Sequence, residues 1–231
     1  MKWVLNIIIL WTLISCDSTV GDVRKALSED KQPLEIDYTK DSLAFSEAHQ
    51  SGYLNNYQDF LDSFPTGPYS EEARFWIGTI EKSDSLKQVY VNSKIKIPSR
   101  NLMIIEVTNS MDSWKIRDQM IPNNDAPEII KEFLLNPSKK EIYSKTPNVA
   151  IISINFSQTQ SELAHDYFIA VRKLYESIYN DYSNYHFGVN YSPLLPHDRK
   201  KLVHEKQPFH VVLNGITLPP KPKSPPRPVI N

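Results

Sequence analysis

A single cysteine in 231 residues excludes an internal disulfide and any cluster of thiolate metal ligands. Glycine is scarce as well: Gly67, Gly78, Gly188 and Gly215 lie too far apart to form a loop that cradles phosphate. No serine stands in a Gly-x-Ser-x-Gly elbow, and His204-Glu205 lacks the second histidine of a zinc-binding helix. His165-Asp166 and His197-Asp198 are sequence neighbours, which on a helix diverge by about 100°, so both are expected as solvated polar positions. An excess of one charge is missing too, with 26 Lys plus Arg against 27 Asp plus Glu. That balance argues against nucleic acid as a partner and against an acidic disordered chain. These absences predict a binding protein rather than an enzyme, with no catalytic residue, no metal and no cofactor.

Long hydrophobic runs are also lacking, apart from one at the start. Trp3 to Ile14 is apolar except for Asn6 and Thr12, follows Lys2, and ends at the small residue Ser15. It is shorter than the roughly 20 residues that a spanning helix needs, so residues 1–15 read as an export signal. The lone cysteine follows at once. Leu13-Ile14-Ser15-Cys16 resembles the lipobox of bacterial lipoproteins, which implies a thioether-linked diacylglycerol on Cys16, anchorage in a membrane and a place in the bacterial envelope facing the periplasm. A signal peptide with an incidental cysteine, or a short uncleaved anchor, is the alternative.

Residues 16–42 carry mixed charge without periodicity and read as a tether. Residues 43–82 read as a helical hairpin: Leu43, Ala44, Ala48, Tyr53, Tyr57, Phe60 and Leu61 fall at helical spacing, Phe64-Pro65 is a stop, and Ser70 caps a second helix. The stretch YQDFLDSFPTGPYSEEARFWI resembles a tetratricopeptide-like unit, although only one copy is present; the alternative is a plain hairpin packed on the rest of the chain. Residues 83–99 are a connector in which Val89, Val91, Ile95 and Ile97 alternate like an edge strand.

Beyond Pro98 the pattern is mixed. Leu102 to Val107 and Trp114 to Ile116 are expected strands, and Pro127 opens a helix that Asn136-Pro137 closes. Val149 to Phe156 is the strongest strand, with Ala150, Ile152, Ile154 and Phe156 on one face. Ser161 to Tyr182 is expected as a long helix capped by Ser161, with Leu163, Tyr167, Ala170, Leu174 and Ile178 as its core stripe. A short helix, His197 to Lys206, precedes a closing strand, Phe209 to Leu213. The order predicts an α+β fold, a mixed sheet with helices packed on it, after a helical hairpin. The tail, 218–231, is proline-rich and basic; it is either a polyproline ligand for a groove or a solvated end.

Four blocks between 100 and 217, RNLMIIEV, APEIIKEFLLNP, the run from NVAIISINF through YNDY, and HFGVNYSPLLPHDRKKLVHEKQPFHVVLN, resemble the periplasmic domain of the ExbD/TolR family of biopolymer-transport proteins. The resemblance implies an extracytoplasmic domain that forms homodimers and meets envelope proteins, motor or transport components among them, with peptidoglycan binding as the alternative. Family members carry an aspartate in an amino-terminal membrane helix for proton flow, whereas residues 3–14 hold no Asp or Glu, so proton conduction is not implied. Two contact surfaces are expected. One is the closing strand with His210 and Val212, or the connector strand, as a sheet edge open to pairing. The other is a second aromatic face of the long helix with Tyr175 and Tyr179, which serves either a partner or the hairpin.

Overall fold

The computed structural model describes residues 40–92 and 97–215. The export signal, Cys16, nearly all of the tether, Ile95 of the connector and the proline-rich tail therefore lie outside the described residues.

Among the described residues, those from 40 to 92 form three helices rather than a hairpin of two: α1 (Lys40–Ser51), α2 (Leu54–Ser63) and α3 (Ser70–Asn92). The expected first helix is cut at Gly52, whose φ of +67° is open to glycine at little cost. A Cβ there would stand 2.3 Å from Ile169 Cδ1, so the missing side chain also allows the turn to approach the later helix closely. The stop at Phe64-Pro65 and the start at Ser70 fall where the sequence places them. Among the described residues the connector forms no strand, because α3 runs on through Val89 and Val91 to Asn92. No proline or glycine interrupts the chain between Gly78 and Pro98, so the alternating β-branched pattern loses to an uninterrupted helix.

The sheet has the order β3-β2-β1-β4-β5, from β1 (Leu102–Glu106), β2 (Ser113–Ile116), β3 (Gln119–Pro122), β4 (Ile151–Asn155) and β5 (Val211–Asn214). The strands β1, β4 and β5 are parallel, while β2 and β3 pair antiparallel, which makes the sheet mixed. β3 is not anticipated from the sequence. It follows a two-residue turn at Arg117 and Asp118, with φ of +49° and +65°, where such turns usually carry Asn-Gly. Helix α4 (Ala126–Leu135) ends at Asn136 in the left-handed conformation, and Asn136 then bonds to the backbone of Lys140 and Ser144 to shape the following loop.

The register puts Met103, Ile105, Ile116, Ile152, Ile154, Val211 and Leu213 on one face, all buried. Helix α5 (Ser161–Phe187) contacts β4 and β5 there and also meets α4. Its buried face is wider than the expected stripe: Ala164, Phe168, Val171, Arg172, Tyr175 and Tyr179 join Tyr167 and Ile178, while Leu163, Ala170 and Leu174 are only partly buried. The helix is covered on two sides, by the sheet and by the amino-terminal helices, and an amphipathic stripe describes only one. Ser161 is not its cap; Ser157 and Gln160 form a capping box on the preceding turn. The helix continues past Tyr182 until Gly188, at φ +69°, ends it. Helix α6 (His197–Lys206) leads into β5.

Helices α1 to α3 do not stand apart from the sheet region. Trp76 packs edge-on against Phe209 at 5.5 Å, His49 Nε2 meets Glu176 Oε1 at 2.9 Å, and the Ser83 hydroxyl donates to the Val211 carbonyl. One hydrophobic cluster joins both parts, and the described residues fall in one compact unit.

Candidate functional site

The structure buries most of the expected contact residues. Tyr175 and Tyr179 are 2% and 0% exposed; Tyr175 packs on Phe209 at 4.7 Å and Tyr179 on Tyr191 at 5.3 Å. Burial pushes both phenols up, and this aromatic face serves internal packing, not a partner. Val212 is 1% exposed. β5 is last in the strand order, yet α3 lies against it and Ser83 occupies a backbone acceptor, so it is a covered edge rather than one open to pairing. His210 is half-buried; its carbonyl accepts from the Ile152 N–H at 2.9 Å, and burial, then the nearby Lys82, pushes its imidazole down. His165, expected in solvent, is 5% exposed, donates from Nε2 to the Ser51 carbonyl at 2.7 Å and stacks on Tyr53 at 3.9 Å.

What the fold leaves open is the other face of β1. Leu102, Ile104 and Glu106 alternate with Met103 and Ile105 and point away from α5, each half-buried. They floor a cleft of about 590 Å³ whose walls include Arg100, Arg117, Glu141 and Ile142. Arg117 builds one wall: its guanidinium donates to the Ile142 carbonyl at 3.0 Å and the Leu102 carbonyl at 3.3 Å, and lies over Phe133 and Tyr143. Glu106 pairs with Lys115 on the neighbouring strand at 2.5 Å. Arg100 and Glu141 have no ion-pair partner among the described residues, and Ile142 is 63% exposed. A floor that is apolar at Leu102 and Ile104 and carries the Lys115-paired Glu106, with unpaired charge of both signs at its rim, suits an extended peptide segment more than a small anion. The signal for this face was present in RNLMIIEV, which is apolar on both sides of the strand.

A second grouping lies inside. Glu72, 2% exposed, accepts from Trp76 Nε1 at 3.1 Å and from the Tyr191 hydroxyl at 2.8 and 3.0 Å; that hydroxyl also lies 2.8 Å from His204 Nε2. Burial raises the Glu72 carboxyl to about 7, and burial together with Lys200 lowers the His204 imidazole to about 3. Lys200 stands 3.9 Å from Glu72 but bonds more closely to Glu71 at 2.7 Å and to the Pro193 carbonyl at 3.0 Å. Sequence spacing does not reveal this cluster, because its members come from α3, the 188–196 segment and α6.

Among the described residues no three His, Cys, Asp or Glu side chains gather as metal ligands, and no helix is long and apolar enough to cross a membrane. Comparison of the chain with protein-family models, with curated proteins and with solved structures found no match.

Proposed function

We propose that this chain is a lipid-anchored protein of the bacterial envelope that binds other envelope proteins on the periplasmic side, as an accessory or adaptor related to the ExbD/TolR proteins and without proton conduction of its own. The anchor is Cys16, acylated after removal of residues 1–15. The contact surface is the cleft over Leu102 and Ile104, and it replaces the β5 edge and the tyrosine face as the place where a partner sits. The observation that carries the adaptor reading is this cleft: a strand half-exposed on its second face, with Arg100 and Glu141 unpaired among the described residues at its rim. The relation to ExbD/TolR is supported by the coincidence of the four resembling blocks with β1, with α4, with β4 and α5, and with α6 and β5.

Site-specific photocrosslinking in cells tests the proposal. A probe at Ile142 or Arg100 should trap a discrete envelope protein, and a probe at Glu47, on the far helices, should not. Equal yields from all three positions would remove the cleft as the contact surface. Binding to purified sacculi without a trapped protein would replace the adaptor by a cell-wall binder.

A further inference from the structure

Glu72 is a buried carboxyl that accepts from Trp76 Nε1, stands 3.9 Å from Lys200, and joins an imidazole through a single hydroxyl. The chain of atoms is Glu72 Oε2 to Tyr191 oxygen, 3.0 Å, and Tyr191 oxygen to His204 Nε2, 2.8 Å. We propose that Glu72 and His204 hold one ionisable proton between them, passed through the Tyr191 hydroxyl, and that this sharing keeps the docking of residues 188–206 on α3 insensitive to pH.

The two arrangements have the same atoms. In the first, the Glu72 carboxyl donates to the Tyr191 oxygen and the Tyr191 hydroxyl donates to Nε2 of a neutral His204. In the second, the Glu72 proton has moved to the Tyr191 oxygen and the former Tyr191 proton to Nε2. Glu72 is then a carboxylate and His204 an imidazolium, with no proton exchanged with water. A carboxylate alone would be a buried charge, and an imidazolium alone would be another; together they are an ion pair bridged by one hydroxyl.

Among the surrounding charges Lys200, 3.9 Å away, favours the Glu72 carboxylate but is held more closely by Glu71. On its own helix Glu72 has Glu71, which is committed to Lys200 and His197 of α6. From α6 come Lys200, held by Glu71 and Pro193, and His204; from the 188–196 segment comes Tyr191. From α5 come Tyr179, packed 5.2 Å from His204, and Glu176, which pairs with His49 of α1 and Arg172. Tyr57 of α2 accepts from Arg172.

Opening of the docked segment separates Glu72 from His204, and the signs of their linkages oppose. The carboxyl rises from 4.5 to about 7 on docking, so its contribution is full below 4.5 and is lost as pH rises towards about 7. The imidazole falls from 6.5 to about 3, so its contribution is full above 6.5 and is lost as pH falls towards about 3. Between 4.5 and 6.5 the opened form loses one proton from Glu72 and gains one on His204, and the two dependences cancel.

The test is amide hydrogen exchange of peptides within 188–206 on the full chain, corrected for intrinsic exchange. Across the window from 4.5 to 6.5, the opening constant of Glu72→Gln relative to wild type should fall about tenfold per pH unit, and that of His204→Gln should rise about tenfold per unit. Ratios that do not change with pH would overturn the proposal, as would both changing in the same direction. Nitrogen chemical shifts of the His204 ring in the unmodified protein provide a readout that does not depend on the variants folding. They should hold constant across the window, and a titration of that ring at the ordinary value of 6.5 would refute the sharing.

Discussion

Gly52→Ala places one methyl group at the joint between the amino-terminal helices and α5. Gly52 has φ of +67°, where an L-residue loses about 1–2 kcal/mol. The new Cβ would stand 2.3 Å from Ile169 Cδ1 and 3.0 Å from an Arg172 guanidinium nitrogen. Both are ends of movable side chains, so the steric part sits near the low end of overpacking costs, about 1 kcal/mol. The total is about 2–3 kcal/mol of destabilisation. Gly78→Ala is the internal control, since nothing lies within 4 Å of a Cβ at that position and it falls inside α3. There the same substitution should stabilise by up to about 1 kcal/mol through helix propensity. Equilibrium urea unfolding of the three proteins gives both values, and adding Ile169→Ala to Gly52→Ala should make the second substitution cost less than it does alone. If Gly52→Ala and Gly78→Ala are equally tolerated, the tight joint between Gly52 and α5 does not exist and the amino-terminal helices are not part of the common core.

Further substitutions probe other joints. Ser83→Ala removes the hydroxyl that occupies the Val211 carbonyl and should cost about 1 kcal/mol, read by urea unfolding, with faster exchange of the β5 amides. Val212→Asp puts a carboxylate at a position 1% exposed and should cost about 3 kcal/mol or more; a neutral effect would return β5 to the surface. Arg117→Ala frees the Leu102 and Ile142 carbonyls and should cost about 1–2 kcal/mol while lowering photocrosslinking yield at Ile142, since the cleft wall is no longer held.

Much of the layout was legible because it rests on local signals. Pro65, Pro127 and Asn136 punctuate helices, and Ile152 and Ile154 alternate with polar Ser153 in β4, so the α+β class and most element positions follow. The failures have distinct physical causes. Gly52 cuts a helix whose apolar spacing continues across it, and β3 enters through a turn whose residues are unusual for its backbone. α3 persists through a β-branched stretch because nothing breaks it. The contact residues failed for a tertiary reason. A tyrosine stripe looks the same in sequence whether it meets a partner or another helix of the same chain, and an edge strand looks the same whether or not a helix covers it. The Glu72 cluster was invisible because Glu72 and Tyr191 are 119 residues apart.

The claim on which the functional account depends most is the anchor. Mass spectrometry of the mature amino-terminal peptide from a membrane fraction tests it directly. The account predicts a peptide that begins at Cys16 and carries diacylglycerol in thioether linkage on that residue, lost together with membrane retention in Cys16→Ser. A membrane-bound protein that still begins at Met1, or one that carries an unmodified Cys16 thiol, would contradict it.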